Sequence, residues 1–201
     1  PVPDVGQGRI IGQMLARIAM TSNYVGYPTT DTDREARAAV VDWIGQGLLG
    51  RINADDVVMS HGTQNAIILA LQAILSGPSP VILTEDLTYP GVRHAARLLR
   101  ARVVPLAMDG DGILPESLEA ACREHGGQVL ITAALVHSPT TRTTPLARKR
   151  QLAALARKYQ LQVLEDDCFR LGDPGDTPGY RLLLPERGWY LSSLTKSVSS
   201  A

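Results

Sequence analysis

Cysteine is scarce: the 201 residues hold two, Cys122 and Cys168. They lie far apart, form no CxxC pair and have no histidines gathered around them, so neither a disulfide framework nor zinc-ligand spacing is present. A reducing cytoplasm is the expected setting. An excess of either charge is also missing, because 20 Lys and Arg stand against 20 Asp and Glu, and this segment therefore has no basic footprint for nucleic acid. No apolar run approaches the roughly 18 residues needed to cross a bilayer. No charged leader followed by an apolar stretch opens the chain. What is present is 44% apolar and 20% charged residues, the composition of a globular chain that can bury a core. The chain opens Pro1-Val2-Pro3 without methionine and stops at Ser199-Ser200-Ala201, and it is expected to be part of a longer protein.

Residues 1 to about 50 read as helical. Ile10, Ile11, Met14, Leu15 and Ile18 recur at helical spacing, and Thr32 with Glu35 predicts a capping box ahead of Ala36, Val40 and Ile44. Tyr24 to Pro28 reads as a turn or extended link. From about residue 55 short apolar runs alternate with amphipathic stretches. Strands are predicted at 57–59, 81–83, 103–106, 129–136, 161–164 and 189–192. Helices are predicted from Gly62-Thr63-Gln64 to Gly77-Pro78, from Tyr89-Pro90-Gly91 through Leu99, over 115–125 and over 145–159. Asp109-Gly110-Asp111-Gly112 reads as a turn and 172–176 as a surface loop; no internal repeat appears. Short strands alternating with longer helices predict βαβ units, a three-layer α/β/α body around a mainly parallel sheet. Ligands of such sheets sit at the carboxyl ends of strands, which singles out four exits: 60–64, 85–89, 166–169 and 193–196.

Each exit holds residues with chemical capacity. Lys196 follows an apolar strand among small hydroxyl residues, where partial desolvation would lower its pKa and leave a nucleophilic amine. Glu165, Asp166 and Asp167 crowd three carboxylates at one strand end, where they repel unless a metal, a cationic ring nitrogen or water takes up the charge. Gly62, Thr63 and Gln64 open a helix whose unpaired amides and dipole favour an anion such as phosphate, although Thr63 could simply cap its own helix. Tyr89 puts an aromatic ring at a further exit. Ser193-x-x-Lys196 also fits a serine–lysine hydrolase pair, but the Ser-Asp-Asn and Lys-Thr-Gly partners are not found.

Read in order, Gly62-Thr63-Gln64, Leu87-Thr88-Tyr89-Pro90-Gly91, His137-Ser138-Pro139-Thr140-Thr141, Glu165-Asp166-Asp167 and Ser193-Leu194-Thr195-Lys196 resemble class I/II aminotransferases. These are fold-type I proteins dependent on pyridoxal phosphate (PLP), and the form of the pattern is closest to the aminotransferase-like domain of GntR/MocR-type transcriptional regulators. The resemblance runs from about Tyr27 to Ala201. It implies that residues 1–50 contribute to a small domain and to dimer contacts, and that 51–201 form most of a large PLP-binding domain. It implies that Lys196 holds PLP as a Schiff base and moves the substrate proton. Asp166, or Asp167 beside it, would pair with the pyridine nitrogen. Gly62, Thr63 and Gln64 would receive the phosphate, Tyr89 would stack on the ring, and Ser138 and Ser193 would complete the site. Tyr27 would reach the phosphate of a neighbouring subunit, which implies a homodimer.

The implied reaction moves an amino group between an amino acid and a 2-oxo acid. The implied alternative is an effector-sensing domain that meets DNA only through a domain outside this chain. Ser138 stands where the family usually has asparagine, and Cys168 and Phe169 stand where a tyrosine usually serves the cofactor's phenolic oxygen. Both departures favour PLP binding over fast transamination. Residues 1–201 expressed alone are expected to aggregate or bind PLP poorly, because sheet edges would be left uncovered.

Overall fold

The computed structural model describes residues 3–21, 26, 27, 29–169 and 177–198. Most of the 24–28 link and the 172–176 loop lie outside the described residues.

Two helices lead the chain, α1 (Gln7–Ala19) and α2 (Arg34–Ile44), followed by the single-turn α3 (Gln46–Leu49). The predicted capping box does not form. Asp33 takes the N-cap of α2 without a side-chain bond, and the Thr32 hydroxyl instead accepts from the amide of Thr29. The box appears later, where Asn53 and Asp56 close a 3-10 turn at Ala54–Asp56. No residue of α1 is buried, and the predicted apolar face (Ile10, Met14, Leu15, Ile18) is about half exposed. Packing is continuous across residue 50, since Leu48 and Leu49 bury with Ile52 and Leu135.

The remainder alternates as predicted: α4 (Thr63–Ile74), β1 (Val81–Glu85), α5 (Pro90–Leu98), β2 (Arg102–Leu106), a hairpin of β3 (Met108–Asp109) and β4 (Gly112–Ile113), α6 (Pro115–His125), β5 (Val129–Thr132), α7 (Leu146–Lys158), β6 (Gln162–Asp166), α8 (Tyr180–Leu183) and β7 (Gly188–Leu191). Five strands form one sheet in the order β2-β1-β5-β6-β7, and every neighbouring pair is parallel. Alternate side chains of each strand face opposite layers. Leu83, Leu130 and Val163 pack with Leu118, Cys122, Leu152 and Ala156 of α6 and α7. Ile82, Ile131 and Leu164 pack with Ile67, Leu71, Val92 and Ala95 of α4 and α5. Both faces are covered, which is why β1 reads as a continuous apolar run and is buried throughout.

Two strand predictions need correction. Val57 to Met59 is not a strand: it pairs with no strand among the described residues, and Val58 is 79% exposed. Three apolar residues without a sheet neighbour cannot satisfy their backbone groups by pairing. The 129–136 run leaves the sheet after Thr132, because the Ala133 amide is taken by the Glu85 carboxylate rather than by a ladder partner.

Glycine is required at the start of β7. A Cβ on Gly188 would lie 2.6 Å from Arg181 Cα and 2.7 Å from the Tyr180 carbonyl oxygen, both backbone atoms that hold α8 against the sheet. Gly188→Ala is expected to destabilise by about 2 kcal/mol, the range of overpacking in a closed site, measured as a lowered denaturation midpoint.

Candidate active site

The chain runs from β1 outward to β2 and then crosses back to β5 on the other side of β1. That reversal makes a topological switch point, and a crevice is expected at the carboxyl ends of the strands beside it. A cavity of about 260 Å³ lies there, and all four predicted exits line it: Gly62 to Gln64, Thr88 and Tyr89, Asp166 with Cys168 and Phe169, and Lys196. Ser138, expected at the site, also lines it, and a further wall that sequence reading did not anticipate comes from the end of β5 (Thr132, Ala133).

The three crowded carboxylates separate by strand alternation. Glu165 points to the α7 face, where the Lys149 ammonium donates to it at 3.1 Å, both side chains being fully buried. Asp167, just past the strand, receives the Tyr190 hydroxyl and does not line the cavity. Asp166 turns into the cavity, and its Oδ1 is buried without a hydrogen-bond partner among the described residues. Burial pushes the Asp166 carboxyl above its ordinary value, against hydrogen bonds from the Cys168 thiol and amide. The Cys168 thiol is itself raised, first by burial and then by the Asp166 charge, so it stands as a neutral group 2.8 Å from the Thr63 hydroxyl.

Beside them α4 begins at Thr63, after Gly62 in the left-handed region (φ 78), and no side chain caps the helix. Thr63 therefore does not act as its own cap. Gln64 spends its side-chain amide on the Gly91 carbonyl at 3.0 Å, so what it offers the cavity is its backbone. Tyr89 is half-exposed on the rim. Lys196 lies in the turn after β7 and is exposed, where partial desolvation was expected. Its ammonium rests 4.9 Å from the centre of the Phe169 ring. Ser193 does not line the cavity; its hydroxyl is 2.7 Å from that of Thr195. Tyr27 is 99% exposed and also outside the cavity.

Glu85 is the residue that sequence reading passed over. It closes β1, is almost fully buried and lines the cavity floor. Its carboxyl is pushed up to about 7, chiefly by burial. It opens the 85–89 exit singled out from the sequence, but there it was one of two adjacent acids, with Asp86, ending an apolar run, and was given no role.

These residues fit PLP. An orphaned buried carboxylate oxygen suits a protonated ring nitrogen, an uncapped helix start suits the phosphate, and an amine stands at the rim. The sequence profile of the family described as aminotransferase class I and II matches residues 7–201. The chain belongs to that family. Within this aminotransferase family it is 33% identical over 147 residues to the uncharacterized HTH-type transcriptional regulator YdeF of Bacillus subtilis, a match that covers 73% of this chain and 32% of the relative. It is 28% identical over 207 residues to the 2-aminoadipate transaminase of Thermus thermophilus, covering 99% of this chain and 50% of the relative. Among solved structures it superposes on LysN, the α-aminoadipate aminotransferase of Thermus thermophilus complexed with N-(5'-phosphopyridoxyl)-L-leucine, with a TM-score of 0.80 at 24% identity, over 100% of this chain and 52% of that one. The chain thus spans about a third of the first of these relatives and half of the second. The three-layer body with its parallel sheet is the aspartate aminotransferase-like, fold-type I architecture. No helix among the described residues is long and apolar enough to cross a membrane.

Proposed function

We propose that the cavity binds PLP and that the protein uses it to move an amino group between an amino acid and a 2-oxo acid. The observation that carries this reading is the unpartnered, buried Asp166 oxygen in a cavity that Lys196 also lines. When bound, PLP supplies a sink for the electron pair left on the amino acid's α carbon. The rest falls to side chains of this chain. Lys196 would anchor the cofactor and, as a free amine, would act as base toward the α proton. Asp166 would accept a hydrogen bond from the protonated ring nitrogen and keep it protonated. Thr63 and Gln64 receive the phosphate through their amides, with Gly62 permitting the close approach. Tyr89 covers one ring face, Ser138 serves the phenolic oxygen in place of a longer amide, and Ser193 keeps the lysine turn in shape.

The same reading assigns residues 1–50 to a small domain and to dimer contacts, with Tyr27 completing the phosphate site of a second copy in a cytoplasmic homodimer. The nearly complete exposure of Tyr27 and the uncovered apolar side chains of α1 support it.

A second reading is an effector-sensing domain of a GntR/MocR-type regulator, with little transaminase activity. It is favoured by Phe169 and Cys168, which offer no phenol near the cavity, and by the similarity to YdeF. Full-length protein loaded with PLP and mixed with the common amino acids separates the two. Release of a 2-oxo acid from at least one of them, absent in Lys196→Ala, is the expected result; a spectral change with no oxo acid released would select the sensor.

A further inference from the structure

Glu85 forms the wall between two cavities. One is the site described above; the other, about 370 Å³, opens on the far side beside the β3–β4 hairpin and is lined by His137, Thr140, Arg142 and Thr144. On the first side the Glu85 carboxyl accepts from the Thr132 hydroxyl at 2.6 Å and from the Ala133 amide at 3.1 Å. On the second side its Oε2 lies 3.7 Å from His137 Nε2. His137 is buried and spoken for at both ring nitrogens: Nε2 is 2.9 Å from the Leu87 carbonyl oxygen and Nδ1 is 2.7 Å from the Thr140 hydroxyl. A carbonyl can only accept, so Nε2 carries the hydrogen and Nδ1 accepts from Thr140.

Two loops therefore meet on one imidazole. Leu87 belongs to the loop that carries Tyr89. The loop after His137 carries Ser138 and is cinched by His137 itself, whose amide donates to the Arg142 carbonyl at 2.9 Å and whose carbonyl accepts from the Thr141 amide. Thr141 sits at φ 59, a conformation that a β-branched residue adopts only when its surroundings impose it. The surrounding charges are not balanced around Glu85. Asp166 and Glu165 of β6 both raise it, Lys149 of α7 is bound to Glu165, and Tyr180 of α8 is buried nearby as a neutral phenol. Arg142 lines the second cavity and Lys196 the first, and neither forms an ion pair with Glu85.

We propose that Glu85 is a positioning residue of the cavity: by holding or releasing one proton beside His137, it sets how the Tyr89 loop and the Ser138 loop close on a bound group. With Glu85 protonated, His137 keeps its Nε2–H on the Leu87 carbonyl and both loops are tied. With Glu85 ionised, that hydrogen has a charged acceptor within reach, the tie to Leu87 weakens, and a second negative charge stands near Asp166. The one proton that Glu85 gains or loses is exchanged with solvent, and the Nε2–H of His137 only changes acceptor. The consequence for PLP rests on the function proposed above, whereas the coupling between Glu85 and His137 does not.

The test has two arms, both on the full-length protein. In the PLP-free protein, carboxyl-labelled glutamate and ring-labelled histidine are followed by NMR against pH. The expected result is a Glu85 midpoint near 7, with the His137 ring nitrogens shifting at the same midpoint, and loss of that His137 step in Glu85→Gln. In the second arm PLP affinity is measured between pH 6 and pH 8. The wild type is expected to weaken by about tenfold relative to Glu85→Gln, the equivalent of one unit of differential proton binding, with the variant keeping its low-pH affinity. His137→Gln is a second variant for the same arm, expected to lose most of the pH-dependent step while Glu85 still titrates. A Glu85 midpoint below about 5, close to the ordinary range of a glutamate, a His137 ring that does not follow it, or parallel affinity curves for wild type and Glu85→Gln would each overturn the proposal. A wild type that binds no PLP at any pH would instead overturn the function proposed above, and the NMR arm would then decide Glu85 alone.

Discussion

Asp166→Asn is expected to lower the rate of amino-group transfer by at least about 10²-fold, the effect of removing one preorganised electrostatic partner from an active site. The carboxylate is held for this work at a cost. Burial raises its pKa, its Oδ1 has no partner among the described residues, and only Cys168 bonds it. A cationic ring nitrogen beside it removes that penalty and brings the carboxyl back down. An amide in its place would keep the shape but carry no charge, so the ring nitrogen would lose the reason to stay protonated. The change should act on transfer far more than on PLP affinity, which the phosphate contacts and Lys196 dominate. A single-turnover rate with a reactive amino acid, beside a PLP titration of the same variant, measures both. Equal losses in rate and affinity would mean that Asp166 only shapes the cavity.

Lys149→Ala is expected to cost about 3–5 kcal/mol, the range for removing one partner of a buried ion pair. Lys149 and Glu165 are both fully buried and 3.1 Å apart. The ammonium also donates to the Pro178 carbonyl at 3.0 Å, lies 5.6 Å from the centre of the Tyr180 ring, and Glu165 accepts from the Tyr180 amide at 2.7 Å. Removing the lysine strands a carboxylate in the core, next in sequence to the residue that serves the cavity. The pair Lys149→Met with Glu165→Gln should be less destabilised than Lys149→Met alone, because the uncompensated charge is gone. Chemical denaturation of wild type, Lys149→Met, Glu165→Gln and the double variant reads this directly; additive losses would show that the pair is not coupled.

Much of the frame was legible because the central strands β1, β5 and β6 are short, largely apolar and covered on both faces, and several helices carry a boundary signal of their own. Pro90 and Pro115 open helices, and Gly62 marks the start of α4. Three of the four segments, after β1, β6 and β7, meet because a parallel sheet brings its carboxyl ends to one edge, a property of topology that does not depend on side-chain detail; 60–64 reaches the same cavity as the start of α4, not as a strand exit. What was not legible depended on partners distant in sequence. Val57 to Met59 has strand composition, but composition supplies no neighbour to pair with. Thr32 and Glu35 have capping-box spacing, yet Thr29 competes for the threonine hydroxyl. Strand alternation separates Glu165 from Asp166, but which face holds Lys149 is a tertiary fact. Glu85 looked like a strand end, and its raised pKa comes from burial under residues 47 and more positions away. Lys196 was expected to be desolvated by its strand, but desolvation needs a covering element.

The central claim is that PLP is held in this cavity on Lys196. Borohydride reduction of PLP-loaded full-length protein, followed by proteolysis and mass spectrometry, tests it most directly. The account predicts one phosphopyridoxyl group per chain on the peptide containing Lys196. A modification confined to Lys149, Lys158 or another lysine, or none at all, would contradict it.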